Sequence, residues 1–251
     1  MITYDSGGRL GNRLFQYVVP RLLAEKLGYA LSPQYAYNAT ITPTPLKSGA
    51  YYDNDKVVIQ ETVGMKSLLD LDYEKRHYHL TGYWQDSDYY IPNREQILGF
   101  FNERAPEDLN HHDIVMHVRL DDYKQFGAGG TVISPEYYLD CLIRENFEHL
   151  YIVTDAPFDE YMMKFKMFDP IFPKGSEKDD FWFMTKFSRI ICGNSTFSWW
   201  AAFLSNAETI YVPECWIRNS YDINHHLEDI SNGKTDGIKV PASFLDYEEE
   251  M

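Results

Sequence analysis

The sequence has little positive charge. Its 251 residues include 23 lysines and arginines against 38 aspartates and glutamates, which gives a formal net charge of −15 with histidine neutral. Proteins that bind nucleic acid through its phosphates need clustered positive charge, so this balance excludes that class of partner. Any anionic ligand must be held by a few cations that the fold brings to one place.

Cysteine is also scarce, and long apolar runs are missing. The three cysteines, Cys141, Cys192 and Cys215, are odd in number and form no C-x-x-C pair, which favours reduced thiols. Residues 1–10 lack the basic and then apolar pattern of a signal peptide, and no stretch reaches the roughly 18 apolar residues of a spanning helix. We therefore expect a soluble, cytoplasmic protein without a transmembrane segment.

The second half of the chain alternates short apolar runs with stretches of helical pattern. Helices between strands at this spacing are typical of βαβ units on a parallel sheet, so the pattern predicts an α/β fold. One predicted helix covers 135–146, with Ser134 as its N-cap, and another covers 197–204. The predicted strands cover residues 112–119, 150–154, 190–192 and 209–212.

Polar residues follow each of these four strands. His117 and Arg119 end the first strand, Asp155 follows the second, Asn194 the third and Glu214 the fourth. In an open α/β sheet, ligands bind in the crevice outside the carboxyl ends of the strands. We therefore expect the four loops to converge on one ligand.

The first hundred residues are less regular. A short strand over 2–4 leads into a turn rich in glycine, reading GGRLGN over 7–12, and a helix over 12–27 ends at Gly28. Glycine at a helix N-terminus lets backbone amides approach an anion. The pattern matches neither the dinucleotide-binding fingerprint nor the P-loop, so a tight structural turn is an equally good interpretation.

His117 and Arg119 are the strongest candidates for binding an anion. Alternation along a strand directs both side chains to the same face, and the guanidinium fork of arginine matches a diphosphate. The alternative is a buried ion pair between Arg119 and Asp121 or Asp122. Both interpretations remain open from the sequence.

The run NSTFSWW over 194–200 follows a strand and opens a helix. Small hydroxyl and amide side chains at such a junction cap the helix, and the amides at the helix N-terminus can also receive phosphate. Capping by Asn194 or Ser195 is compatible with binding a ligand. Trp199 and Trp200 are expected in the core.

Several sequence runs together resemble the α-1,2-fucosyltransferase family. The resemblance implies two facing Rossmann-like α/β domains in a GT-B-like arrangement, with a small or irregular acceptor-side domain over 1–110 and a nucleotide-sugar-binding domain over 111–251. It also implies transfer of L-fucose from GDP-fucose to a hydroxyl of an acceptor glycan, namely an α-1,2 linkage to a galactoside. Inversion at the anomeric carbon, no metal and no cofactor are further implications. The runs are GGRLGNRLFQY, TGYWQDSDYY, HVRLDDY, TD, DDFWFMT and GNSTFSWWAAFL.

Carried over by position, the resemblance assigns roles to residues of both predicted domains. Arg119, His117 and Asn12 are implied in catalysis, with Arg119 on the donor diphosphate, and Asp155 is implied at the guanine edge. The donor-binding set comprises Gly11, Asn12, His117, Arg119, Asp155, Asn194, Ser195, Thr196, Phe197 and Ser198.

The sequence departs from the family at one motif. Where the family reads HxRRGDY, this chain has Leu120 and Asp121 in place of the second arginine and the glycine. One cation for the diphosphate is therefore missing, which leaves open a protein that binds a nucleotide sugar or glycan without turnover. A related enzyme with another donor or linkage is also open.

Two further questions stay open from the sequence. Asp86 and Asp88 form a D-x-D pattern, which in other glycosyltransferases holds a metal beside the diphosphate, but surface solvation is the better explanation of such a pattern in an acidic chain. The general base, if one exists, could be Asp5, Asp86, Asp88 or Asp122.

Overall fold

The computed structural model describes residues 1–32, 49–52, 55–61, 68–125, 132–216 and 227–245. The chain divides into two compact units, Met1–Arg104 and Ala105–Met251. Each unit contains helices and one parallel sheet, so the predicted α/β class is confirmed. The assignment of functional domains to 1–110 and 111–251 stays a prediction.

The first unit is built on a sheet of three parallel strands in the order β1-β3-β2. The strand β1 and its following helix were both predicted, whereas the other two strands were not. Short 3₁₀ turns at Leu68–Asp70, Ser87–Tyr89 and Ile91–Asn93 complete the unit. The regular elements are β1 (Ile2–Tyr4), α1 (Leu10–Leu27), β2 (Lys56–Gln60), β3 (His77–Thr81) and α2 (Arg94–Leu98).

Helix α1 begins two residues earlier than predicted and ends at the predicted glycine. Its inner face, which includes Leu14, Val18 and Leu22, is almost fully buried. Gly28 adopts a left-handed conformation with φ of 65°, and its amide donates to the carbonyls of Ala24 and Glu25. Glycine reaches this conformation without the steric cost that a Cβ imposes, so it terminates the helix as expected.

The second unit contains a sheet of five parallel strands in the order β5-β4-β6-β7-β8. The four predicted strands are confirmed, with ends that differ by up to two residues, and β8 is an addition. A 3₁₀ segment covers Glu160–Phe168. The elements are β4 (Ile114–Val118), α3 (Asp121–Gln125), α4 (Pro135–Leu142), β5 (Leu150–Thr154), α5 (Glu177–Met184), β6 (Arg189–Ile191), α6 (Thr196–Leu204), β7 (Thr209–Pro213) and β8 (Ile238–Val240).

The prediction of a helix over 135–146 is wrong at its C-terminal end, because α4 ends at Leu142. Glu145 is directed to the sheet instead, where its carboxylate accepts a hydrogen bond of 2.7 Å from the Tyr211 hydroxyl. Ser134 occupies the N-cap position, but its side chain makes no capping bond. Its hydroxyl accepts a hydrogen bond from Ser243.

The core of the second unit is rich in aromatic residues. Trp199 and Trp200 on α6 are completely buried, as predicted. Buried tyrosines use their hydroxyls on backbone carbonyls: Tyr137 donates to Cys192 and Tyr138 donates to His117. Such bonds satisfy polar groups that would otherwise be costly to bury.

All three cysteines are free, as predicted from their number and spacing. Burial raises the pKa of both the Cys141 and Cys192 thiols to about 12, so neither forms a reactive thiolate at neutral pH. In the part of the chain that the structure describes, no helix has the length and apolar character needed to cross a bilayer.

Candidate functional site

The loops after four neighbouring strands of the second unit meet at the carboxyl edge of the sheet. After β4, the Leu120 amide donates to Asp155, which follows β5, over 3.0 Å. The Tyr123 hydroxyl donates to the carbonyl of Asn194, which follows β6, over 2.9 Å. The Asn194 amide in turn donates to the carbonyl of Trp216, beyond β7, over 3.0 Å. The four loops therefore lie together at this edge, and their convergence on one ligand stays a prediction.

Arg119 lies at the centre of this edge and is paired with two carboxylates. Its Nε and Nη2 donate to the two oxygens of Asp122 over 2.8 and 3.0 Å. Its Nε also lies 3.1 Å from a carboxylate oxygen of Asp155. Burial alone would lower the pKa of the guanidinium, but the hydrogen bonds to Asp122 and the charge of Asp155 outweigh it and raise the pKa. The ion pair with Asp122 that the sequence left open is therefore formed.

The pairing with the two carboxylates does not engage every N–H donor of the guanidinium. Nη1 of Arg119 meets no acceptor among the described residues, and the side chain keeps 13 % of its surface exposed. An incoming anion can therefore bind through Nη1, or it can displace one of the carboxylates. Both carboxylates hold the fork of donors in a fixed orientation at the sheet edge.

His117 lies beneath this edge and is nearly inaccessible, with 4 % of its surface exposed. Its ring stacks on Phe197 of α6 at 5.1 Å between centroids. Nδ1 is buried and has no hydrogen-bond partner among the described residues. Burial, helped by the charge of Arg119, lowers the pKa of His117 to about 3, so the ring is neutral at physiological pH.

The low pKa of His117 predicts that this residue contributes to the loss of folding stability at acidic pH. The unfolded chain binds a proton to His117 below about pH 6.5 while the folded chain does not, so stability is complete above pH 6.5 and falls as the pH is lowered toward 3. His117→Phe, which keeps a stacked ring, should remove up to about 1.4 kcal/mol per pH unit from the slope of the unfolding free energy in this window. Urea unfolding at pH 7, 6, 5 and 4 measures it. Identical slopes for both proteins would contradict the neutral, buried state of His117.

The N-terminus of α6 is capped at one of its amides by a side chain of the same segment. The Ser195 side chain caps the helix by accepting from the Phe197 amide over 3.3 Å. The Ser198 hydroxyl is buried and donates to the carbonyls of Gly193 and Ser195. Thr196 and Phe197 keep partly exposed surface at this helix start. Within the predicted donor-binding run, these two side chains are therefore the ones with surface to offer a ligand.

Gly193 is required by close packing between β6 and β4. A Cβ at this position would lie 2.8 Å from the His117 carbonyl oxygen and 2.8 Å from the Tyr138 hydroxyl. Real Cβ atoms do not approach other atoms so closely, so a side chain here would displace the backbone of His117. The glycine before NSTFSWW was not singled out from the sequence, although its place at a strand end is a signal for such an approach.

The glycine-rich turn of the first unit is held by three amide side chains. Gly8 has φ of 76°, and a Cβ there would lie 2.7 Å from Nδ2 of Asn12. The Gly7 amide donates to Gln16 over 2.7 Å, and Gln85 donates to the Asn12 side chain over 2.9 Å. The interpretation as a tight structural turn is supported, and Gln85 is a partner that the sequence reading missed. Gly11 lies within α1 and is buried.

The D-x-D residues of the first unit have a local structural role. The Asp86 side chain caps the 3₁₀ turn Ser87–Tyr89 by accepting from the Asp88 amide over 3.0 Å. Among the described residues, the carboxylate and histidine atoms close enough to share a metal belong to Asp113, Glu148 and His149. Asp113 precedes β4, at the opposite end of the strand from Arg119, and already accepts hydrogen bonds from its neighbours.

Comparison with known proteins shows similarity to a family and to a characterised relative. The sequence model of the family described as glycosyl transferase family 11 matches residues 65–231, which is 167 of 251 positions. An alpha-1,2-colitosyltransferase from Escherichia coli is 25 % identical over an alignment 171 positions long, and the match covers 56 % of this chain and 58 % of that protein. The chain thus matches less than two thirds of that relative's length. No solved structure matches the chain.

Proposed function

The chain belongs to glycosyl transferase family 11, and from this premise we propose that it transfers L-fucose from GDP-fucose to a hydroxyl of an acceptor glycan. The acceptor we propose is a galactoside, joined through an α-1,2 linkage. The observation that carries the proposal is Arg119, a partly exposed cation that Asp122 and Asp155 fix at the carboxyl edge of the sheet. That edge is where nucleotide ligands bind in sheets of this kind.

The proposed chemistry needs stabilisation of a leaving diphosphate. As the bond to the anomeric carbon breaks, negative charge grows on the diphosphate oxygens. Arg119 and the amides at the start of α6 are fixed before the reaction, and fixed dipoles of this kind are the largest single source of rate enhancement in many enzymes. Neutral His117 supports Phe197 from below and adds no charge. We propose that this stabilisation needs neither metal nor cofactor.

The remaining parts of the proposal follow the family resemblance. We propose a GT-B-like enzyme in which the second unit binds the nucleotide sugar and the first unit serves the acceptor side, with inversion at the anomeric carbon. Asp155 would receive the N–H groups of guanine. Guanine would compete there with the backbone amides of Leu120 and Asp121, which already donate to this carboxylate.

The missing second cation has a structural explanation. Leu120, at the position of the family's second arginine, is completely buried and packs in the core with Met116 and Val118. A charged side chain there would be costly to bury. We therefore propose that the diphosphate is held by one arginine and by backbone amides, and that the donor binds more weakly than in relatives with both arginines.

A second candidate donor is favoured by the curated relative. That relative is named for colitosyl transfer, so a nucleotide-activated colitose is the alternative to GDP-fucose. Release of the nucleoside diphosphate should be measured with each donor in turn, with and without galactosides, and with EDTA present. Faster release with GDP-fucose and a galactoside supports the proposal. Release with the colitosyl donor alone would show that activated colitose, and not GDP-fucose, is the donor. Tight binding of GDP without release from either donor would favour a protein that binds a nucleotide sugar without turnover.

A loss of activity in EDTA that manganese restores would contradict the metal-independent part of the proposal. Such a result would make Asp86 and Asp88 the candidate metal ligands. The matched variant Asp88→Asn keeps the backbone amide of residue 88, which donates a hydrogen bond to the Asp86 side chain. The variant therefore removes one carboxylate and leaves the cap of the 3₁₀ turn in place. Under the proposal this variant behaves as the wild type in EDTA and in manganese.

A further inference from the structure

A line of polar side chains crosses one face of the sheet in the first unit. Thr3 on β1 is in register with His79 on the neighbouring strand β3. The Thr3 hydroxyl lies 2.9 Å from Nε2 of His77 and 2.8 Å from Nδ1 of His79. The other ring nitrogen of His79, Nε2, lies 3.2 Å from a carboxylate oxygen of Asp5. Asp5 and Thr3 share a face because residues two apart in a strand do so.

The contact with Asp5 determines which groups donate and which accept along this line of hydrogen bonds. The Thr3 hydroxyl has one proton and two lone pairs, so it can donate to no more than one of its two histidine neighbours. If Thr3 donates to Nδ1 of His79, the N–H of the ring lies on Nε2 and is directed at Asp5. The opposite arrangement would set a bare nitrogen against a carboxylate. Asp5 thus selects the tautomer of His79, and His79 in turn fixes the orientation of the carboxylate.

Burial falls steadily toward the carboxylate. Thr3 is 2 % exposed, the His79 side chain is 16 % exposed and the Asp5 side chain is 52 % exposed. Asp5 directly follows β1, where its amide donates to the Leu80 carbonyl, and it precedes the glycine-rich turn by two residues. An anchored, buried line of hydrogen bonds therefore ends in an accessible carboxylate at the carboxyl edge of this sheet.

The other three candidate bases have different environments. Asp86 caps a 3₁₀ turn through its side chain. Asp88 lies exposed within that same turn. Asp122 accepts two hydrogen bonds from the guanidinium of Arg119, so both of its oxygens are already engaged. Among these four carboxylates, Asp5 is the one set against a histidine that is itself held in place.

We infer that Asp5 is the general base of the transfer reaction and that His79 is its positioning residue, held by Thr3. This inference rests on the proposed function. In the step, the O–H bond of the acceptor breaks and its proton moves to Asp5. The electron pair of that bond forms the new bond to the anomeric carbon. The bond from that carbon to the diphosphate breaks, and the nucleoside diphosphate leaves with its electron pair.

Asp5→Asn tests the catalytic role. A positioned base contributes about 10²–10⁴-fold to rate, so kcat should fall by about that factor, while the KM for the donor and the binding of GDP by calorimetry stay unchanged. Asp88→Asn is the matched control, since it removes an exposed carboxylate of the same unit, and it should keep wild-type kcat. A kcat for Asp5→Asn within twofold of wild type, with the wild type active, would overturn the assignment of Asp5 alone.

Asp5→Ala with added formate separates catalysis from folding. Formate can enter the space left by the side chain and supply a carboxylate, so kcat should rise with formate concentration in this variant and not in the wild type. A purely structural role for Asp5 predicts no such rescue, and absence of rescue in a variant that melts like the wild type would overturn the inference. A wild type that releases no GDP from either donor would instead overturn the proposed function, and this inference with it.

His79 and Thr3 are tested by conservative replacement. His79→Gln places an amide N–H near Asp5, whereas His79→Phe keeps bulk without a donor. At equal melting temperature, His79→Gln should retain clearly more of the wild-type kcat than His79→Phe, and Thr3→Val should lose kcat while Thr3→Ser keeps it. Equal kcat for the glutamine and phenylalanine variants would overturn the positioning role.

Discussion

Arg119→Ala is expected to lower kcat by about 10²–10³-fold, the loss seen when one fixed donor to a developing negative charge is removed. The guanidinium is fixed by Asp122 and Asp155, so its donors meet the diphosphate without reorganisation. Removing it also leaves two carboxylates facing an anionic substrate. We therefore expect the KM for the donor to rise as well. Initial rates of GDP release at varied donor concentration measure both quantities.

The control for this experiment must separate charge from geometry. Arg119→Lys keeps the charge but cannot donate in a fork, so it should recover only part of the lost rate. Arg144→Ala removes an exposed arginine of the same unit, whose side chain bonds to the Asp140 carbonyl, and should leave the rate unchanged. Wild-type turnover by Arg119→Ala would contradict the assignment of the diphosphate to this edge.

Trp199→Ala is expected to destabilise the second unit by about 3–5 kcal/mol, as truncation of large buried aromatic residues does. Trp199 is completely buried, stacks on Phe203 at 4.9 Å between centroids, and donates through Nε1 to the Leu227 carbonyl over 3.0 Å. Truncation opens a cavity and leaves that carbonyl without its donor. Because Trp199 lies one turn from the capped start of α6, ligand binding should weaken together with stability.

Trp199→Phe separates the cost of the cavity from the cost of the lost hydrogen bond. It keeps a stacked ring against Phe203 and loses the hydrogen bond, so it should cost about 1–3 kcal/mol, the cost of an unsatisfied buried group. Urea unfolding followed by fluorescence and far-UV circular dichroism measures both variants. A loss below about 1 kcal/mol for Trp199→Ala would contradict the role of this residue in the core.

The sheet of the second unit could be predicted because its strands are short apolar runs bounded by polar residues. All five residues of β4 and three of the five residues of β5 are buried, as is usual for strands of a parallel sheet. β8 has three residues, two of which are exposed, and so carries no apolar pattern to detect. The end of α4 at Leu142 was missed, and the hydrogen bond from Tyr211 to Glu145 beyond it joins residues far apart in sequence, which a local helical pattern does not reveal.

The sheet of the first unit was less predictable. β2, which reads KVVIQ, alternates exposed and half-buried positions, and β3 carries two histidines on one face. Those histidines are explained by contacts to Thr3, more than seventy residues away. Local propensity cannot anticipate a pairing that only the folded sheet creates.

The residues of the candidate site could be predicted from the sequence, but the contacts between them could not. His117, Arg119 and the start of α6 were identified because polar residues followed apolar runs, and the resemblance to α-1,2-fucosyltransferases is confirmed by the match to glycosyl transferase family 11. The pairing of Asp155 with Arg119 joins loops 36 positions apart and could not be read from either motif. The individual roles of these residues toward a donor stay predictions.

The most direct test of the proposed function is identification of the reaction product by NMR. The protein is incubated with GDP-fucose and a galactoside, and the purified product is examined for linkage and anomeric configuration. We predict one added fucosyl residue on the 2-hydroxyl of galactose, with a configuration opposite to that of the donor. An unchanged galactoside after prolonged incubation with protein that binds GDP would contradict the account.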